Sequence, residues 1–404
     1  MKKLTLNQWE SEYIVGQIDR FDQRNTMSSR KNTDPEMKEK LANLSAPAVF
    51  KDKPGFTHKD YALRWSPRAY HSIIAEIIAS KPYPSHLSEA ITTLIKQSNQ
   101  ALAYPYRPPE NAKAATDDPQ TATRNLKNAA RFFGADLVGV CALDSRWVYS
   151  HISRKMGDGS ESYEHLPQQI EDRFKYAVVL GFEADYRMIR YAKTLIAGAA
   201  HDMASTRMVV ASALLSRFIR NLGYDAIDCN IDDVVITVPL AMQAGLGQLG
   251  RNGLLITPRY GPRVRLSVVL TNLPLVADEP IDFGVTEFCA ACKKCAQMCP
   301  SNSIPRGERS TEPNNMSNSS GGLKWYQNGE TCLTRAARDK YPCSTCISVC
   351  PYNKPDTRFH HTVRWFTDHA RWANPLYIKM DNLFGYGVPK KADGFWEKWE
   401  VNQQ

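Results

Sequence analysis

Cys289-Ala290-Ala291-Cys292-Lys293-Lys294-Cys295-Ala296-Gln297-Met298-Cys299-Pro300 places four cysteines at the spacing C-x2-C-x2-C-x3-C and follows the last of them with proline. A second run, Cys343-Ser344-Thr345-Cys346-Ile347-Ser348-Val349-Cys350-Pro351, repeats the ending C-x3-C-P, and Cys332 precedes it. This spacing is typical of the thiolate ligands of [4Fe–4S] clusters. Two such clusters need eight thiolates, and the two runs together with Cys332 supply eight.

The order of the cysteines predicts which of them share a cluster. In a two-cluster arrangement the fourth cysteine of each run binds the other cluster. One set is therefore Cys289, Cys292, Cys295 and Cys350, and the second set is Cys299, Cys332, Cys343 and Cys346. A pair of zinc sites is the alternative, but no histidine lies inside the runs. A disulfide framework is not expected in a long chain without secretory features.

The composition fits one large core and a small cluster-binding module. The chain has 404 residues, 43% of them hydrophobic, and a formal net charge of +9, part of which thiolate ligands would remove. A mildly basic surface is compatible with an acidic, low-potential external electron donor such as a ferredoxin or flavodoxin, and equally with no specific partner. No block of Lys and Arg interleaved with aromatic residues indicates nucleic acid.

No segment of the sequence is long and apolar enough to predict a transmembrane helix. The start, Met1-Lys2-Lys3-Leu4, continues with polar residues and shows neither a hydrophobic signal region nor a twin-arginine pair. We therefore expect a cytoplasmic protein, or an exported one whose leader is absent from this chain. Oxygen-labile clusters fit a reducing or anoxic compartment.

Composition and periodicity divide the chain into four predicted segments. Residues 1–120 form an N-terminal wrap of uncertain structure with one plausible helix at His71–Ala79. Residues 121–280 form an α/β or α+β core, in which helices cover a sheet. Residues 281–354 form the two-cluster domain, and residues 355–404 form an aromatic segment that packs back on the core.

Within the core segment, helical and strand patterns alternate. A helix is expected at Arg124–Phe133, and a second, amphipathic helix ends at Gly223. One face of the second helix carries Met208, Ala211, Leu215, Phe218 and Leu222. Four apolar runs predict strands: Ala135–Val140, Tyr176–Phe182, Val234–Leu240 and Arg265–Thr271.

A glycine-rich loop, residues 244–253, joins two of these predicted strands. Gly245, Gly247 and Gly250 are spaced closely enough for the backbone to approach a large flat or anionic ligand. The loop does not open a helix and has no acidic residue downstream, so a dinucleotide is not expected. From these residues alone the loop is either a cofactor wall or a set of tight turns.

Together with the cysteine runs, the loop resembles the reductive dehalogenase family over about residues 121 to 397. The matching stretches are Gly134-Ala135-Asp136-Leu137-Val138-Gly139, Asp144-Ser145-Arg146-Trp147, Tyr260-Gly261-Pro262-Arg263-Val264-Arg265, Pro280-Ile281-Asp282-Phe283-Gly284-Val285, Lys324-Trp325 and Phe384-Gly385-Tyr386-Gly387. Epoxyqueuosine reductases share the glycine loop and the cysteine runs and are a more distant resemblance.

The resemblance implies an α+β fold: a nitroreductase-like core that binds a corrinoid, beside a ferredoxin-like domain with two [4Fe–4S] clusters. It also implies that the loop glycines and Arg263 contact the corrinoid, and that electrons flow from the clusters to cobalt. None of the nine histidines lies in a D-x-H-x-x-G motif, so we expect a base-off cobalamin. Removal of an axial donor favours the electron-rich Co(I) state.

The proton donor of the family is altered in this chain. Ser205 stands where the family has a tyrosine, and a helix N-cap is the alternative role for this serine. His201 is one candidate replacement, unless it is an ordinary histidine at a helix end. Asp232 and Asp233 are others, because epoxyqueuosine reductases carry an aspartate near this point; otherwise they form a turn with two solvated carboxylates.

Two further site residues follow from the resemblance. Arg265, with Arg263 as the other candidate, matches the arginine that stabilises negative charge at the family's site, although an arginine at a strand start can simply pair with a carboxylate. Trp325 matches an aromatic residue at the substrate cavity, with core packing as the alternative.

The resemblance implies an oxidoreductase that acts on an organohalide. Electrons pass through two clusters to Co(I), halide leaves, and a proton is added to carbon. Two alternatives stay open: reductive C–O cleavage of an epoxide-like substrate by the same cofactors, and a non-catalytic corrinoid or electron-transfer protein.

Overall fold

The computed structural model describes residues 1–41, 53–79, 118–155, 163–167, 170, 172–229 and 234–399. The strands are β1 Lys2–Lys3, β2 Leu137–Ala142, β3 His151–Lys155, β4 Tyr163–Pro167, β5 Tyr176–Glu183, β6 Ala226–Cys229, β7 Gln248–Leu249, β8 Leu255–Ile256, β9 Val264–Thr271 and β10 Ile281–Asp282.

The α-helices are α1 Leu6–Tyr13, α2 Met27–Thr33, α3 Pro35–Leu41, α4 His58–Ala79, α5 Pro119–Phe132, α6 Tyr186–Ile189, α7 Leu195–Asn221, α8 Thr237–Gln243, α9 Val285–Cys292, α10 Lys294–Gln297, α11 Gly329–Asp339, α12 Thr345–Ser348, α13 Arg358–His369, α14 Asn374–Leu383 and α15 Phe395–Lys398. Over the described residues, none of these helices combines the length and the hydropathy needed to cross a membrane.

A four-stranded antiparallel sheet forms the centre of the molecule. Its strand order is β2-β5-β9-β6, with Val140 opposite Val178 and Val179 opposite Val268. Strand β5 is buried along its six central residues, because both faces of the sheet are covered. The predicted combination of helices and strands is therefore confirmed, and it takes the form of helices packed on an antiparallel sheet.

Successive side chains of β5 enter two different cores. Val178, Leu180 and Phe182 pack on one face, where helix α7 covers the sheet. Ala177 and Val179 pack on the other face, which helices α1 and α8 cover. The N-terminal helix is thus an integral part of the core and brings its aromatic residues to the sheet.

One predicted strand is wrong. The chain forms helix α8 where the sequence predicts a strand at Val234–Leu240. Pro239 is compatible with the first helical turn, where the backbone N–H has no intrahelical partner. The neighbour of β9 in the sheet is instead β6. Leu240, on this helix, is fully buried in the core. Such tertiary packing outweighs the local strand preference of Val and Ile.

The long helix α7 begins earlier than the sequence indicates. It ends before Gly223 as predicted, but it starts at Leu195 with Thr194 at the N-cap position. Ser205 therefore lies inside the helix, 3% exposed, and the N-cap interpretation of this serine is wrong. Most of the first ten residues of the helix are buried, so no amphipathic period marks its start.

The remaining predicted elements are present with shifted ends. The helix expected at Arg124–Phe133 is α5, and the one expected at His71–Ala79 is the last part of the longer α4. The strands expected at Ala135–Val140, Tyr176–Phe182 and Arg265–Thr271 are β2, β5 and β9.

The two C-x2-C turns share one backbone conformation. Lys293, which follows Cys292, and Ser344, which follows Cys343, have φ values of 54° and 53°. The left-handed region is unfavourable for residues with a Cβ atom. Both residues follow the first cysteine of a C-x2-C turn. The shared left-handed conformation indicates that it is needed to point the two cysteines of each turn toward the same cavity.

Candidate functional site

The first predicted set of cysteines surrounds one cavity. Helices α9 and α10 carry its first three members, and the second run contributes the fourth, so the set is Cys289, Cys292, Cys295 and Cys350. Phe288, Pro351 and Tyr352 form part of the wall. The structure therefore brings the last cysteine of the second run to the first run, as the crossed assignment requires.

The second predicted set surrounds a separate cavity of about 330 Å³. Its cysteines are Cys299, Cys332, Cys343 and Cys346. Helix α4 contributes Arg64 and Trp65 to the wall. Arg64 in turn forms a buried ion pair with Asp202 of α7 at 3.2 Å. The N-terminal segment, which the sequence left unassigned, is thus part of this site.

Burial controls the acidity of the cysteine thiols. It raises the pKa of Cys332 to about 11 and the pKa of Cys295 to about 12. At Cys299 burial opposes ionisation, but hydrogen bonds to its sulfur, from Ser301 and from the backbone N–H of Ser303, outweigh it and lower the pKa. Because iron binds thiolates, loading these sites displaces protons.

The arrangement of the cysteines suits clusters better than single ions. Across the described ranges no three His, Cys, Asp or Glu side chains converge on one metal position. A tetrahedral zinc would need four ligand atoms at about 2.0–2.3 Å. Four sulfurs spread around a cavity instead match a cubane, in which each iron takes one thiolate.

Arg251 is a site residue that sequence reasoning missed. Its side chain is 1% exposed and lies at the first cysteine cavity. Its Nε donates to the carbonyl of Cys289 at 3.0 Å, and its guanidinium stacks on Trp325 at 4.4 Å. Nη2 has no hydrogen-bond partner among the described residues. A buried cation with a spare N–H group beside four thiols can stabilise an anionic cluster.

His201 lies beside the second cysteine set, and the charge of Arg265 acts on it. His201 Nε2 is 3.0 Å from the hydroxyl of Ser344, between Cys343 and Cys346. Burial, assisted by the charge of Arg265, lowers the pKa of His201 to about 3. The imidazole is neutral near pH 7, which disfavours the predicted role of His201 as an acid.

The side chain of Arg263 is buried and bonded to other protein groups. It is 1% exposed, and its guanidinium donates to Glu183 at 2.9 Å, to Asn353 at 3.1 Å and to the carbonyl of Lys354 at 2.9 Å. These bonds join the central sheet to the segment after the second cysteine run. These contacts give Arg263 a structural role, and its contact with a corrinoid stays a prediction.

The glycine loop packs against protein. A Cβ atom on Gly245 would lie 2.5 Å from the carbonyl oxygen of Glu279, and one on Gly247 would lie 2.2 Å from that of Ile256. A Cβ atom on Gly250 would lie 2.8 Å from the Ile256 side chain. Of the two interpretations left open by the sequence, close packing of tight turns explains these glycines without a ligand.

A third cavity, of about 220 Å³, lies between the N-terminal helix, α8 and the loop before α11. We call it the tryptophan cavity, because Trp9, Trp147 and Trp325 line it. Trp325 is 3% exposed and donates to the carbonyl of Gly307 at 3.1 Å, so it both packs and faces the cavity. Lys324 lines it too, and burial lowers the pKa of this lysine to about 8.

Several polar atoms of the tryptophan cavity lack partners. Trp9 Nε1, Trp147 Nε1 and Asn318 Oδ1 are buried and have no hydrogen-bond partner among the described residues. Unsatisfied buried donors and acceptors are rare in proteins unless a ligand or water completes them. The two predicted acids Asp232 and Asp233 lie outside the described residues, so their position relative to this cavity is not described.

The comparisons with known proteins agree with this geometry. A family model described as a 4Fe–4S double cluster binding domain matches residues 288–353. The fold and the two cysteine sites thus define a two-cluster iron–sulfur protein.

The chain is homologous to reductive dehalogenases. It is 38% identical to the tetrachloroethene reductive dehalogenase of Sulfurospirillum multivorans over 314 residues, which is 72% of this chain and 61% of that protein. It is 36% identical to that of Desulfitobacterium hafniense, over 68% of this chain and 55% of that protein. The chain therefore covers less than two thirds of the length of these relatives.

Two further comparisons bear on the resemblance. A solved catabolic reductive dehalogenase has the same fold, with a TM-score of 0.73 at 22% identity over 100% of this chain and 51% of that one. The epoxyqueuosine reductase of Lactococcus garvieae is 32% identical over 31% of this chain and 34% of that protein. Both resemblances stated from the sequence, the close and the distant one, are confirmed.

Proposed function

We propose that this chain is a corrinoid- and iron–sulfur-dependent reductase that removes halide from an organohalide. The observation that carries the proposal is the second cysteine set, whose Ser344 contacts His201, in a chain homologous to tetrachloroethene reductive dehalogenases. The charge of Arg265 acts on the same histidine. A cluster site with a half-buried cation nearby suits a reductive cleavage in which negative charge develops.

The proposal includes the division of the chain and the nature of the core. Residues 121–280 form a nitroreductase-like core that binds the corrinoid, which the antiparallel sheet and its two helical layers support. Residues 281–354 form a ferredoxin-like domain, and the matched cluster-binding region falls within this range. The described residues of the wrap (1–120) and of the segment 355–404 pack on these two parts.

The tryptophan cavity fits the edge of a corrinoid. A corrinoid ring carries amide side chains, which offer carbonyl acceptors to Trp9 Nε1 and Trp147 Nε1 and an N–H donor to Asn318 Oδ1. The wide aromatic walls fit its flat face. A corrinoid held there would supply a strongly reducing cobalt centre.

The residues of the chain have separate tasks in the proposed reaction. The two cysteine sets hold the clusters that pass electrons one at a time from an external low-potential carrier, such as a ferredoxin or flavodoxin. Arg265 stabilises negative charge as halide leaves. Trp325 shapes the wall of the cavity. Asp232 or Asp233 donates the proton, since His201 is neutral.

The proton donor can be tested directly. Asp232→Asn and Asp233→Asn each keep the size of the side chain and remove its acidic proton. We expect turnover to fall about 10²-fold in the variant that lacks the donor, while iron and cobalt contents stay the same. The other variant is then the matched control. Unchanged turnover in both variants contradicts an aspartate donor.

The overall proposal is tested by anaerobic turnover with reduced methyl viologen after loading with iron, sulfide and cobalamin. Chloride release from tetrachloroethene is the expected result. Deoxygenation of an epoxide without halide release supports the C–O cleavage alternative, which the match to epoxyqueuosine reductases keeps open. Protein that takes up iron but no cobalamin contradicts the proposal.

A further inference from the structure

The C-terminal segment forms an apolar groove next to the first cysteine set. Helices α13 and α14 enclose a cavity of about 290 Å³, and we call it the C-terminal groove. Its lining includes Phe359, Phe366, Met380 and Phe384, which are 61%, 45%, 39% and 59% exposed. Leu383, beside them, is 81% exposed. So many exposed large apolar side chains in one short segment mark an interaction surface.

The groove and the first cysteine cavity share a wall. Phe288, Pro351 and Tyr352 line both of them. Phe288 precedes Cys289 in the chain, and Pro351 follows Cys350. A molecule in the groove is therefore separated from a cluster on this set by a single layer of side chains. A short distance between the groove and the cluster favours electron transfer from a bound partner. A partner that only anchors the protein would not need it.

Two unpaired cations are next to groove residues in the chain. Arg358 and Lys379, the sequence neighbours of Phe359 and Met380, are exposed and form no ion pair with any described residue. The acidic residues two positions away from each of them are already paired.

Two acidic residues illustrate this. Asp381 pairs with Lys294 and Lys354, and Asp356 pairs with Arg259 and His361. The charges of Arg358 and Lys379 are therefore not neutralised by these two carboxylates. A second copy of the chain would bring two such faces together, and like charges oppose that contact.

We infer that the C-terminal groove is the docking site of an acidic electron-carrier protein, which reduces the cluster of Cys289, Cys292, Cys295 and Cys350 first. The apolar side chains supply the centre of the interface, and Arg358 and Lys379 steer the acidic partner. One electron leaves the reduced centre of the carrier and enters the cluster, and no bond is made or broken. The inference rests on the proposed function for the direction of electron flow.

The test measures the rate at which an acidic [2Fe–2S] ferredoxin, fully reduced, reduces the clusters of the loaded protein under anaerobic conditions. Reduced methyl viologen, which is small and needs no docking site, serves as the second reductant. The variants are the charge reversal Arg358→Glu with Lys379→Glu, and Phe384→Ser in the groove. Matched controls on α5 are Arg131→Glu and Phe132→Ser, whose side chains are also exposed.

We expect reduction by ferredoxin to slow about 10-fold in the charge-reversal variant at low salt, with a smaller difference at high salt. Phe384→Ser should slow reduction by ferredoxin at any salt concentration, because the contact that Phe384 makes with the carrier is apolar and is not screened by salt. Reduction by methyl viologen, iron content and both control variants should be unchanged. These results together support the docking site.

Three results would overturn it. The first is an unchanged rate with ferredoxin in both groove variants. The second is a dimeric wild-type protein that the groove variants convert to monomer while their ferredoxin rates stay the same. The third is binding to anionic lipid vesicles that the variants lose, again with unchanged ferredoxin rates. Because the readout is cluster reduction, a protein that ferredoxin reduces but that releases no halide contradicts the proposed function alone.

Discussion

At the scale of single residues, the buried guanidinium of Arg251 links two parts of the site. It lies at the first cysteine cavity and stacks on Trp325, which lines the tryptophan cavity. Burial lowers the pKa of Arg251, and the neighbouring cysteines oppose this when ionised. Because an arginine side chain keeps its charge in proteins, this cation lies where a cluster with four thiolates would carry negative charge, and it should favour the reduced state of that cluster.

This role of Arg251 predicts a change in reduction potential. Arg251→Met removes the buried charge, so we expect the midpoint potential of the first cluster to fall by about 60 mV, which is ~1.4 kcal/mol for a one-electron couple. Potentiometric titration followed by EPR measures it. Arg251→Lys, which keeps the charge, should restore most of the difference. Equal potentials in all three proteins contradict the electrostatic role.

The glycine loop makes a second prediction at this scale. In Gly247→Ala the new methyl group would collide with the carbonyl of Ile256, so the loop must shift, and we expect a loss of about 1–3 kcal/mol in the free energy of unfolding. Denaturant unfolding measures it. Gly307→Ala, where nothing lies within 4 Å of the added Cβ atom, is the control and should change little. A tolerated Gly247→Ala that loses cobalamin would instead support a cofactor wall.

At the scale of elements, the two cysteine runs depend on each other. Each run contributes to both cysteine cavities, so neither cavity is complete with one run alone. The equal left-handed turns at Lys293 and Ser344 show that the two runs use one local geometry. Cluster binding and the folding of this segment are therefore coupled.

The crossed arrangement predicts the effect of single cysteine changes. Cys346→Ser removes a ligand of the second set only, so we expect iron to fall from about eight to about four per chain, with the EPR signal of the first cluster retained. Cys350→Ser is the informative partner, because it lies in the second run but should remove the first cluster. If Cys350→Ser and Cys346→Ser lose the same cluster, the crossed assignment is wrong.

At the scale of the whole molecule, Arg263 connects the core to the cluster-binding segment. Its guanidinium bridges Glu183 of β5 to Asn353 and Lys354, which follow the second cysteine run. Tyr186 and Tyr260 lie against the guanidinium, with ring centroids at 5.3 Å and 5.5 Å. This planar, fully bonded geometry suits arginine and not lysine.

Arg263→Lys should therefore destabilise the whole molecule rather than affect the chemistry. We expect the free energy of unfolding to fall by about 2 kcal/mol or more, because several buried acceptors lose their donors. Differential scanning calorimetry of the loaded protein measures the shift. Arg259→Lys, at an exposed ion pair with Asp356, should change stability by less than about 1 kcal/mol. Equal effects of the two changes contradict the bridging role.

The sequence alone was sufficient for parts of the long helices, for most strands and for the resemblance to reductive dehalogenases, and it predicted two sets of cysteine ligands. These features depend on local spacing and periodicity, which the order of residues specifies directly. A C-x2-C run must place its cysteines near one another whatever the rest of the chain does. Helix α5 and strands β5 and β9 likewise show their patterns within a few residues.

Only the tertiary structure decided which distant segments complete each site. In the structure, helix α8 forms where a strand was predicted at Val234–Leu240, and Ser205 lies inside α7. Arg263 joins the core to the cluster-binding segment, and Arg251 lies at the first cysteine cavity. The tertiary structure also brought Trp9 and Arg64 from the N-terminal segment to two of the cavities. Burial and long-range hydrogen bonds determine these assignments, and both arise from contacts between residues that are far apart in the chain.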